Sequence, residues 1–198
     1  MSSDDPLDRL VAEQTRPGAS DEERAVHRLI LAVAIDPARQ LTEEELARIV
    51  RQIAGAGFDP NALERARGNI VKQPRLGGGI VQTGDRLPPA EAHYLRHCLA
   101  QREWPTGTTL LAYLASIREV VLDSRSGILV NRYQDAWQLA FIRESRALRG
   151  PGGHQWLLVD YRVHLGHWTT AHQLEHGLSS LGPPRREQIR WLRPPQLS

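Results

Sequence analysis

Residues 128–174 carry four runs rich in β-branched and aromatic side chains, 128–133, 137–143, 155–163 and 168–174. In each, apolar and polar residues alternate, which is the period of a half-buried strand. The intervening gaps, 134–136, 144–154 and 164–167, are short. A parallel crossover needs a dozen residues or more, usually a helix, so these spacings predict antiparallel neighbours. Two helical patterns precede the strands. One runs from Pro89 to Arg102 with proline in its first turn. After the turn Trp104-Pro105-Thr106-Gly107, Thr108 is placed to cap a second, in which Leu111, Leu114, Ile117, Val120 and Val121 share a face. Helices followed by a meandering sheet predict an α+β domain over residues 88–198. Beyond a loop at 177–186, a proline-rich tail offers Ile189, Trp191 and Leu192 for docking on the sheet.

The first part of the chain reads as an all-helical module, residues 1–72. A short helix at 7–15 ends at Pro17-Gly18. Ser20 followed by Asp21, Glu22 and Glu23 opens a helix to Ile35, a hydroxyl cap with acids in the first turn. Thr42 and Glu45 form a capping box for a third pattern that ends at Gly55 and Gly57. Asp59-Pro60 opens another at 60–68. Residues 73–87, with Pro74, Gly77, Gly78, Gly79 and Gly84, read as a linker. The glycine triplet lacks the preceding strand and following helix that a phosphate-cradling loop needs.

Several classes of protein are set aside. Cys98 is the single cysteine, so neither an internal disulfide nor a cysteine zinc site is expected. No apolar run approaches the ~20 residues that span a bilayer, and residues 1–6 are polar and acidic rather than signal-like. The expectation is a protein that starts in the cytoplasm, without membrane attachment. Residues 1–83 hold 11 basic and 13 acidic side chains, residues 84–198 hold 14 and 10, and Lys72 is the only lysine. A mildly positive, arginine-rich second part suits phosphate contacts.

Alternation assigns the faces of the predicted sheet. Leu157, Val159, Tyr161 and Val163 face the helices. The opposite face carries Arg162, Asp160, Arg132 or Asn131, Arg143, and one of Thr169 or Thr170. Arginines, hydroxyls and tryptophan on one surface form a candidate RNA platform. On the first helix of this part, His93 and His97 are four apart and share a face, with Arg96 beside them. Two histidines near neutral pH can act as base and acid in transfer of a 2′-hydroxyl onto the adjacent phosphate. His172-Gln173-Leu174-Glu175-His176 matches the H-x-x-E-H zinc signature. That motif needs a helix, and here it continues a predicted strand.

The order of elements over about residues 88–193 resembles the barnase, EndoU, colicin and RelE group of ribonuclease toxins. The likeness rests on the histidine-bearing helix from Glu91 to His97, the second helix ending Ile117-Arg118-Glu119-Val120-Val121, the successive strands, and Trp168-Thr169-Thr170-Ala171 in the last of them. The resemblance implies metal-independent RNA cleavage with no cofactor. It implies His93 or His97 as base or acid, Arg132 or Arg143 on the scissile phosphate, and Thr170 positioning it. Arg96, Arg162, Thr169 and His172 would bind substrate. The expected partners are RNA, tRNA among the candidates, and a cognate immunity or antitoxin protein, with action in the producing or a target cell's cytoplasm. This part of the chain has no lysine, so arginine would have to stabilise the phosphorane. Two other readings stand beside this one: a non-enzymatic protein-binding module, such as an inhibitor or adaptor, and a zinc hydrolase using the H-x-x-E-H segment.

Overall fold

A computed structural model of the chain describes residues 5–59, 89–133, 136–149, 155–174 and 190–196. In these the helices are α1 (Pro6–Glu13), α2 (Asp21–Ile35), α3 (Glu43–Ala54), α4 (Pro89–Tyr94), which continues as a π-helical turn (Leu95–Ala100), and α5 (Leu110–Leu122). The strands are β1 (Gly127–Tyr133), β2 (Ala136–Ser145), β3 (Gln155–Arg162), β4 (His167–Leu174) and β5 (Arg190–Arg193). The helix expected at 60–68, the linker at 73–87 and the loop at 177–186 lie outside the described residues. Among the described residues no helix is long and apolar enough to cross a membrane.

Local chemistry accounts for the helix starts. Asp5 caps α1 by accepting from the Leu7 amide at 2.9 Å, with Pro6 in the first turn. The Ser20 hydroxyl accepts from the Glu23 amide at 3.1 Å. Thr42 and Glu45 make both halves of the capping box, at 3.2 and 2.8 Å. For α5 the cap is Thr109, which accepts from the Ala112 amide at 3.2 Å, not Thr108. The Thr108 hydroxyl is already committed, donating to the Pro105 carbonyl at 2.8 Å to close the preceding turn.

The strands form one antiparallel sheet in the order β4-β3-β2-β1-β5. Four strands were expected; there is a fifth. Residues 190–193 do more than dock: they pair with β1, Leu129 opposite Trp191 and Val130 opposite Arg190. An open β1 edge would present unpaired backbone groups, and β5 covers it. Arg190 then reaches the C-terminal end of α2, donating to the Asp36 carbonyl at 2.7 Å and to those of Val33 and Arg39.

One core joins both sides of the glycine-proline stretch. Val26, Ile30 and Leu31 of α2, Ile49, Val50 and Ile53 of α3, and Phe58 pack with Tyr113, Ile117, Val120 and Val121 of α5. The sheet contributes Ile128, Val130, Leu139, Phe141, Leu157, Val159, Tyr161, Trp168 and Ala171. Polar bonds cross the same junction. The Trp168 indole donates to the Ile53 carbonyl at 3.0 Å. The Trp168 backbone donates to Gly57 and accepts from Asp59, at 2.9 and 2.8 Å, so that Phe58 forms a parallel bridge to β4. A second, smaller cluster, Leu129, Ala140, Ile142, Leu158 and Leu174 with Trp156 and Trp191, lies on the other face of the sheet. The described helices give it none of their side chains.

Candidate active site

The site is built by a break in helix geometry. After Tyr94, α4 passes into a π-helical turn closed by the Gln101 amide donating to the Arg96 carbonyl at 2.8 Å. Such turns are rare and often fall at functional sites. Arg102 follows with φ +55°, a left-handed conformation unusual for a side chain of this size. The chain thereby doubles back, and the Glu103 amide donates to the His97 carbonyl at 2.9 Å. This returns the Glu103 carboxylate to the helix it has just left. One oxygen lies 2.9 Å from His97 Nδ1; the other accepts from the Gln173 amide of β4 at 2.7 Å.

A carboxylate at Nδ1 is an acceptor, so it favours the tautomer with the proton on Nδ1 and leaves Nε2 as the basic nitrogen. His97 Nε2 is buried and, among the described residues, has no hydrogen-bond partner. The residue as a whole is 3% exposed.

The opposite wall is β4, an edge strand carrying a bulge. Asp160 pairs with Thr170 but Tyr161 pairs with Trp168, so Thr169 is the extra residue. The bulge shifts the phase of the strand. Trp168 and Ala171 both belong to the core cluster, although they are an odd number apart. Thr170 and His172 therefore join Leu174 on the second face. The Thr170 hydroxyl is 3.2 Å from His172 Nδ1, and both side chains are partly exposed.

The rings line up along this edge. Phe58 stacks on His93 at 4.2 Å between centroids, His93 on His97 at 5.9 Å, and His97 on His172 at 6.1 Å, with interplanar angles of 13°, 11° and 24°. His93, 4% exposed, is the histidine of this row farthest from His172; His172 and Thr170 are the members nearest solvent. Cys98, on the same turn, is buried, and burial with the charge of Glu103 pushes its thiol up to about 12. It stays protonated and is not a nucleophile near neutral pH. Burial likewise raises the Tyr113 phenol well above its ordinary value. It remains a donor, to the Ala171 carbonyl at 3.3 Å.

Of the residues anticipated from sequence, His93, His97, His172 and Thr170 are brought together here. Arg96 lies on the same turn, its Nε buried with no hydrogen-bond partner among the described residues. The strand arginines are elsewhere. Arg143 follows Phe141 on the core-facing side, and its guanidinium is drawn to the Asp123 carboxylate. Arg132, in phase with Ile128 and Val130, also falls on that side, at the other end of the sheet, 5.9 Å above the Trp137 ring. Arg162 does lie on the second face, over the Tyr133 ring at 5.7 Å, but opposite His167 rather than His172. Thr169 is the bulged residue beside Thr170.

Sequence reasoning missed Glu103 and Arg149. Glu103 lies six residues past His97, a spacing that pairs nothing on a regular helix; its position depends on the π turn and on Arg102. Arg149, an exposed residue, is held at the rim by its backbone, donating to the Glu103 carbonyl at 2.7 Å and accepting from the Gln173 amide side chain at 3.1 Å. Among the described residues no group of three or more histidine, cysteine, aspartate or glutamate side chains could hold a metal. His172 of the H-x-x-E-H segment lies in a strand, while Glu175 and His176 lie outside the described residues. Comparison with known proteins adds no relative: no family model, curated protein or solved structure matches the chain.

Proposed function

We propose that this protein is a metal-independent ribonuclease acting at the β4 edge. The reading is carried by one observation: a buried histidine whose Nδ1 is held by a carboxylate, whose Nε2 is unbonded, and whose ring is 6.1 Å from a second, partly exposed histidine. In this reading His97 Nε2 takes the proton of a ribose 2′-hydroxyl. The 2′-oxygen attacks the adjacent phosphorus, and the bond to the 5′-oxygen breaks. Protonated His172 gives its proton to that leaving oxygen, producing a 2′,3′-cyclic phosphate and a 5′-hydroxyl end. Glu103 balances the charge that His97 acquires, and the Thr170 hydroxyl donates to a non-bridging phosphate oxygen. Arg149 and Arg96 replace the strand arginines as the nearest candidates for phosphate charge. A cognate inhibitor would have to cover the His172 edge.

The test is incubation with total RNA in excess EDTA. Wild type should cut, leaving cyclic phosphate ends, and His97→Ala or His172→Ala should each lose ~10²–10⁴-fold. Cleavage that is absent in wild type, or unchanged in both variants, removes the proposal. The binding-module reading draws support from the near-complete burial of His93 and His97. On that reading, wild type leaves RNA intact, and His97→Ala alters stability alone.

A further inference from the structure

The second face of the sheet holds polar groups that the fold leaves unused. Asn131 is 0% exposed, and among the described residues neither its amide nitrogen nor its oxygen has a hydrogen-bond partner; the amide nitrogen of Gln138, 2% exposed, likewise has none there. They are direct cross-strand neighbours. Alternation from Leu129 and Ala140 of the second apolar cluster places both on that face. Arg162, directly opposite Gln138, adds a buried Nε with no partner. Buried polar groups are nearly always bonded, and each one left unmet lowers stability. Three in one patch mark a place where a ligand supplies the missing bonds.

We infer that this patch is a nucleobase-reading site, in which the Asn131 and Gln138 amides contact the edge of a base and Arg162 and Tyr133 hold its nucleotide at the rim. The inference rests on the ribonuclease reading for its choice of RNA. The chemistry favours a base. Two neighbouring neutral amides offer donors beside an acceptor, the pattern by which Asn and Gln read a base edge. A carboxylate or phosphate ligand would leave the Asn131 acceptor unmet. Tyr133, two residues beyond Asn131 on the same face, is 39% exposed, so the patch has an aromatic rim open to solvent, where a base can stack. Arg162, partly exposed and over that ring, carries charge for the adjoining phosphate. Thr170 and His172 belong to the same face, three strands across and two and four residues along, roughly 16 and 20 Å from Asn131. Recognition would therefore fall some nucleotides away from the cleaved linkage rather than on the linkage itself.

The experiment uses the full chain and labelled 2′-O-methyl tetranucleotides of A, C, G and U, which cannot be cut by 2′-hydroxyl attack, with binding read by fluorescence anisotropy. One base should bind at least tenfold tighter than the weakest. Asn131→Ala and Gln138→Ala should each flatten that preference. Equal affinity for all four, or a preference that survives both substitutions, overturns the inference. The near-isosteric apolar Asn131→Leu and Gln138→Met give the same reading if the alanine variants do not fold. Binding is measured without cleavage, so a protein that cuts RNA with no base preference refutes this site alone. One that binds selectively yet never cuts refutes the catalytic reading alone.

Discussion

His27 of α2 is fully buried between Thr15 and Tyr161, with Nδ1 3.1 Å from the Thr15 hydroxyl and Nε2 2.9 Å from the Tyr161 hydroxyl. Burial lowers its pKa to about 4 from 6.5, against the pull of Glu23 and with the push of Arg16. Between those values the unfolded chain binds a proton that the folded chain refuses. His27 therefore contributes stability above pH 6.5 that is lost as the pH falls toward 4. The difference between the two states corresponds to ~3 kcal/mol at most. Urea melts at pH 7.5 and 4.5 should show this loss in wild type, and His27→Gln, which cannot titrate, should lack most of it; parallel curves would mean that another group governs acid stability. At Glu103 the prediction concerns activity. In Glu103→Gln the oxygen can still accept from Gln173, but the amide then offers His97 a donor. That moves the ring proton to Nε2 and removes the base. RNA cleavage should fall at least ~100-fold, with the melting temperature within a few degrees of wild type. A variant as active as wild type would take Glu103 out of the mechanism.

At the level of elements, β5 depends on the absence of a side chain at Gly127. A Cβ there would lie 2.7 Å from the Trp191 ring and 2.8 Å from Pro195. Gly127→Ala should loosen the tail strand and cost ~1–3 kcal/mol through overpacking. Faster amide exchange confined to the β1–β5 ladder is the expected signature, and unchanged exchange there would show that the tail adapts. The same strand marks how far the sequence could be read. β1 to β4 were legible because long alternating runs leave little choice of period, and the capped starts of α2 and α3 because serine and threonine precede acids. β5 was not: Arg-Trp-Leu-Arg is four residues before a proline pair, and its pairing depends on a partner more than fifty residues away. The histidine pair was legible, since i and i+4 share a face in either helix type. The π turn, the left-handed Arg102 and the β4 bulge are tertiary outcomes that spacing does not encode. Through them Glu103 joins the site, and Thr170, rather than its neighbour Thr169, takes the face of His172.

For the molecule as a whole, the question is whether the sheet stands without the helices that precede it. Val26, Ile30, Leu31, Ile49, Val50, Ile53 and Phe58 are all buried in the core shared with the sheet. At ~1.5–3 kcal/mol for each such side chain, their removal forfeits roughly 10–20 kcal/mol, against a net domain stability of about 5–15 kcal/mol. Loss of α1, α2 and α3 would also uncover Trp168 and Tyr161, strip the Phe58 bridge from the β4 edge, and take from His93 the ring it stacks on. A fragment of residues 89–198 should therefore lack a cooperative melt and the near-ultraviolet dichroism of packed tryptophan, even if strand content survives. Adding residues 1–59 as a separate chain should restore both in part. If the fragment alone melts cooperatively with native dichroism, the helices before the glycine-proline stretch form an appendage rather than half of the core. The histidine edge would then have to be held by α4, α5 and β4 alone.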